Sequence, residues 1–184
     1  MFLVDDYMAG IPTRWAQLRA SIRPLAAIAT EWDQDGIDLA FVHNNAYFPC
    51  LATSGRVLAA FDAAGPAHTP AGSLQHRLND LLRDYVSRFR EDQFLKPLNL
   101  IVLTHRGDAD DGECGGGDAS QDRFEETVMM WARELDIMRA PRSQLGLQFV
   151  LVGSGRANAN VCTNANVRRF TTLDEEMWKQ YGVR

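Results

Sequence analysis

The chain has 184 residues, 46% of them hydrophobic and 23% charged, which is the make-up of one soluble globular domain with a single core. Nineteen Lys and Arg against 24 Asp and Glu give a net charge of −5, which argues against generic nucleic-acid binding. No apolar run approaches the roughly 20 residues of a membrane helix, no leader pattern opens the chain, and Cys50, Cys114 and Cys162 form no Cys-x-x-Cys pair, so a cytoplasmic, reducing setting without disulfides or a zinc knuckle is expected.

Met1 to Val4 reads as a short strand ending at Asp5-Asp6, and Trp15, Leu18, Ile22, Leu25, Ile28 and Ala29 then recur at helical spacing. The turn Asp33-Gln34-Asp35-Gly36 leads into a second strand, Ile37 to Val42, completing a βαβ unit. Residues 43–52 carry no clear period, and Val57 to Phe61 reads as a short helix. A long helical pattern follows through Leu74, Leu78, Leu81, Leu82, Tyr85 and Phe89, with Pro70 suited to its first turn. Leu98 to Thr104 is nearly continuous in apolar residues, as an interior parallel strand requires.

Residues 105–122 form an acidic, glycine-rich stretch without periodicity and read as a long mobile loop. Beyond it come a helix through Phe124, Val128, Trp131, Leu135 and Met138, and a strand from Leu145 to Val152 that ends at Gly153-Ser154-Gly155. A polar stretch at 157–166, a short strand near Val167 to Phe170 and a closing helix over Leu173 to Tyr181 complete the chain. The alternation implies a single domain over 1–184 of the α/β class: a three-layer, doubly wound, Rossmann-like fold with a mostly parallel sheet. The default ligand site is the crevice at the carboxyl ends of the strands.

Loops at that edge are Asp5 to Gly10, His68 to Gly72 and Thr104 to Asp108. The order Phe2-Leu3-Val4-Asp5-Asp6, Arg14-Trp15, Asp35-Gly36-Ile37-Asp38, Thr69-Pro70-Ala71-Gly72, Ile101-Val102-Leu103-Thr104, Leu135-Asp136 with Ala140-Pro141, and Gln144 to Phe149 resembles the von Willebrand factor A (vWA) domains found in many fungal proteins. The likeness runs on to Leu173-Asp174 and Tyr181 to Arg184. It implies a doubly wound domain that binds protein ligands, often through a divalent ion at a metal-ion-dependent adhesion site. That site takes oxygen from an Asp-x-Ser-x-Ser loop, a Thr on a second loop and an Asp after the fourth strand. Mg²⁺ wants six such oxygens, some of them from water.

Asp5 matches the first aspartate of that pattern and Thr69 the threonine. Tyr7 and Ala9 stand where the serines belong, His105-Arg106 replaces Asp-Gly, and Arg106 brings a fixed positive charge toward any cation. The expectation is a degenerate, Mg-free site, and a non-enzymatic protein-binding module of adhesion or scaffold type. Its partner crevice would be lined by Asp5, Asp6, Tyr7, His68, Thr69, His105 and Arg106, with homo-oligomerisation open. In the bland account His105 donates to Asp5, and Arg106 pairs with Asp6 or Asp108. The alternative is a rebuilt site in which Asp5, Thr69 and His105 hold Zn²⁺, Mn²⁺ or Mg²⁺, or a metal-dependent hydrolase or nuclease built on Asp5, Asp6 and His105.

Other signals favour ordinary structure. The acidic loop lacks the glycine spacing of an EF-hand, Gly153-Ser154-Gly155 lacks the third glycine of a dinucleotide fingerprint, and no Gly-x-Ser-x-Gly occurs. Cys50 with His43 is a conceivable Cys/His pair, but His43, His68 and His76 read as loop or surface residues, with His68 at the crevice mouth. Trp15, Met130, Trp131 and Met138 read as core, and Arg77, Arg83, Arg88 and Arg90, interspersed with Asp80, Asp84 and Glu91, as a solvated helix face.

Overall fold

The computed structural model describes residues 1–7, 12–104 and 124–152. The elements are β1 (Phe2–Val4), α1 (Pro12–Trp32), β2 (Ile37–Phe41), β3 (Tyr47–Leu51), α2 (Ser54–Ala64), α3 (Leu74–Glu91), β4 (Leu98–Thr104), α4 (Phe124–Ile137) and β5 (Leu145–Leu151). The acidic loop at 105–122, the Gly153-Ser154-Gly155 turn and the expected strand and helix of the tail lie outside the described residues.

Alternate strand residues face opposite layers, because successive side chains of a strand point to opposite sides. Phe2, Val4, Ile37, Leu39, Phe41 and Leu103 pack with Leu18, Ile22 and Ala26 of α1 and Val57, Ala60 and Phe61 of α2. Leu3, Ala40, Leu100 and Val102 pack on the other side, with Leu74, Leu78 and Leu82 of α3 and Phe124 and Val128 of α4. Each large apolar side chain so enclosed contributes about 1.5–3 kcal/mol relative to exposure. Helices therefore cover both faces of one five-stranded sheet, in the order β3-β2-β1-β4-β5. β1 pairs in parallel with both β2 and β4, and β4 with β5, giving an α/β, Rossmann-like layout. No helix among the described residues is long and apolar enough to cross a membrane.

Three expectations need correction. Residues 47–51, read as aperiodic, form β3, which runs antiparallel to β2 at the sheet edge. Pro49 obscures the strand pattern, yet an edge position tolerates it because its missing N–H is needed by no neighbour. Gly36, at φ +84°, lets the end of β3 lie close against the start of β2, since a Cβ there would stand 2.7 Å from the Cys50 carbonyl carbon. Pro70 is not in the first turn of α3. That helix starts at Leu74, behind Ser73, whose hydroxyl accepts the His76 N–H. Met130, read as core, is 46% exposed.

Candidate functional site

In a doubly wound sheet, the natural ligand position is where the chain reverses its direction of strand addition. Here β1 is followed on one side by β2, and the chain later crosses to β4 on the other side, so the carboxyl ends of β1 and β4 flank that point. Asp5 and Asp6 leave β1 there, and Thr104 ends β4.

Asp5 and Asp6 are both fully buried. The Asp5 N–H donates to the Leu103 carbonyl at 2.8 Å, continuing the β1–β4 ladder one step past the strand. Its Oδ2 accepts the Thr104 hydroxyl at 2.9 Å. Asp6 turns the other way: its two oxygens accept the backbone N–H groups of His43 at 2.8 Å and Asn44 at 3.1 Å, and its carbonyl accepts the Ala67 N–H at 2.9 Å. Burial raises the Asp6 carboxyl above the ordinary aspartate range, against the opposing pull of the His43 amide and its own.

His43, expected on the surface, is buried, with its side chain only 1% exposed. Nε2 lies 3.2 Å from Asp5 Oδ1, at ion-pair distance but off the alignment of a hydrogen bond. Nδ1 accepts the Gly72 N–H at 3.3 Å, so the ring proton belongs on Nε2, facing Asp5. This histidine, which the sequence suggested only as a conceivable partner of Cys50 or a loop or surface residue, stands just past the end of β2, and no local pattern signals its burial. Tyr7 covers it, with ring centroids 5.5 Å apart, and makes an isolated parallel bridge to Ala67.

Of the remaining expected residues, His68 and Thr69 are exposed on the segment that Ala67 and Gly72 tether to Asp6 and His43. Ala9, His105 and Arg106 lie outside the described residues. The Cys50–His43 pair does not form. The Cys50 N–H donates to Asp38 near the start of β2, five residues of extended chain, or about 16 Å, from His43.

Both ring nitrogens of His43 and both oxygens of Asp6 are thus directed at protein groups, which leaves this cluster poorly suited to moving a substrate proton. The donor set also does not fit the hard, oxygen-ligated ion that the resemblance implies. Phenolic Tyr7 and Ala9 replace the two hydroxyls, and Asp5 holds Thr104 beside an imidazole. Among the described residues, no group of three or more His, Cys, Asp or Glu side chains could hold a metal ion. Comparison with protein-family models, curated proteins and solved structures gave no match.

Proposed function

We propose that this chain is a non-enzymatic, protein-binding module of the vWA kind whose adhesion site has become metal-free. The supporting observation is Asp5, which holds the Thr104 hydroxyl and stands beside His43 instead of facing an open coordination position. The crevice mouth at Tyr7, His68 and Thr69 would then meet the partner directly, over a floor made rigid by Asp6. Hydrolase or nuclease chemistry through Asp5, Asp6 and His105 loses support because Asp6 uses both oxygens on backbone amides.

Thermal unfolding of chelator-stripped protein, with Mg²⁺, Mn²⁺, Ca²⁺ or Zn²⁺ added in turn, tests this reading, since an ion that prefers the native state raises the midpoint. The expected response is flat for all four ions. A rise with Zn²⁺ or Mn²⁺ that His105→Ala abolishes would instead favour the rebuilt metal site. In pull-downs, Tyr7→Ala and Thr69→Ala should release a bound partner, and retention of every partner by both variants would remove the crevice mouth as the binding surface.

A further inference from the structure

Outward-facing positions of a surface helix are ordinarily polar, because only the stripe turned to the core needs apolar side chains. α3 follows this rule: its exposed residues, from His76 to Glu91, are all charged or polar. α1 does not. Beyond its buried stripe of Leu18, Ile22 and Ala26, it exposes Ala16, Ala20, Pro24, Ile28 and Trp32, which follow one another every fourth residue and make a single ridge. Ile28 is 59% and Trp32 82% exposed, and Ala27 is exposed on the next row. The ridge is about 24 Å long at the helical rise. α1 is thus apolar toward the core and away from it, the pattern of a helix covered on both sides.

Two charges indicate what covers it. Arg23 and Glu31 stand about one turn to either side of Ala27, both exposed and neither in an ion pair among the described residues. Against a second α1 running antiparallel, with the two-fold axis at Ala27, Arg23 of each copy meets Glu31 of the other. A parallel pair would set Arg23 against Arg23 and Glu31 against Glu31. The two charges also cancel, so this face contributes nothing to the net charge of −5 that keeps copies apart elsewhere. Ala20 and Ala27 are small enough for the axes to approach to the roughly 8–10 Å of packed helices, with the every-fourth ridges interdigitating. Ile28 and Trp32 then leave water on both copies.

We propose that α1 is the contact helix of a homodimer, packed antiparallel on α1 of a second copy about a two-fold axis at Ala27. One helix face is a small interface, so the dimer dissociates in the micromolar range, and it involves none of the crevice residues.

Sedimentation velocity of the full chain from about 1 to 100 µM tests it. The weight-average mass should climb from 20.6 kDa toward twice that value. Ala27→Glu, which sets a carboxylate against its own copy across the axis, should leave a monomer at every concentration, with the far-UV spectrum of the parent chain. Arg23→Glu should weaken association about tenfold, and adding Glu31→Arg should restore it, because the exchanged charges again meet their opposites. Ile28→Asp should also dissociate the dimer, without lowering the unfolding midpoint of dilute protein. The proposal is overturned by a parent chain that stays monomeric, by a dimer that Ala27→Glu leaves intact, or by failure of the double exchange to restore association. It is equally overturned by an Ile28→Asp chain whose midpoint falls even when dilute, since another segment of the same chain would then cover the ridge.

Discussion

Nε2 of His43 stands 3.2 Å from Oδ1 of Asp5, and both side chains are sealed from solvent, at 1% and 0% exposure. Truncating one member of such a pair strands the other in a poorly solvated site, which costs more than the pair contributes while intact. His43→Leu should lower stability by about 2–4 kcal/mol in urea unfolding. Asp5→Asn combined with His43→Leu should cost clearly less than the sum of the two single changes. Additive losses would show that the two side chains do not interact.

Asp6 sets a pH dependence of known sign. Its folded-state carboxyl titrates above the unfolded value because of burial, so the native chain takes up a proton before the unfolded chain does. Stability from this group is fully present below the unfolded value and is lost as pH rises through the folded one. Relative to Asp6→Asn, the parent chain should therefore gain stability as pH falls from 7 to 4. Paired urea titrations measure this difference, and one that stays constant or shrinks on acidification would contradict the assignment.

Tyr85 and Gln144 lock the opposite end of the sheet. Gln144 Nε2 donates to the Tyr85 oxygen at 2.6 Å and to the Leu95 carbonyl at 2.9 Å, while the Tyr85 hydroxyl is shared between the Lys96 and Gln144 carbonyls. Tyr85→Phe keeps the ring packing but leaves buried groups without their partner. A loss of about 1–3 kcal/mol in chemical denaturation is expected.

Pro24 sits on the exposed face in the interior of α1, where it removes one helical hydrogen bond and crowds the Ala20 carbonyl. Its helix penalty is about 3 kcal/mol, and its restriction of the unfolded chain returns about 1 kcal/mol of that. Pro24→Ala should accordingly stabilise the protein by about 2 kcal/mol, seen as a higher thermal midpoint.

Elements with a full period were legible from sequence. The stripe Leu74, Leu78, Leu82, Tyr85 and Phe89 specifies α3, and the apolar run Leu98 to Thr104 gives β4 its bounds and its interior place. β3 was hidden because Pro49 interrupts five residues that only pairing with β2 makes a strand. Asp5 and Asp6 could be placed at the crevice from their position after β1. His43 could not, because its burial depends on the sheet order bringing the end of β2 beside β1 and on Gly72 arriving from a distant segment.

The middle of the sheet is its narrowest part: β1 has three residues, whereas β4 and β5 have seven each. It is thus a seam, joined to Leu39, Ala40 and Phe41 on one flank and to Ile101, Val102 and Leu103 on the other. If the flanks come apart before either melts, the amides of Leu3, Val4 and Asp5 will exchange with deuterium sooner than those in the middle of β4. The crevice would then lose its floor while most of the helices remained folded.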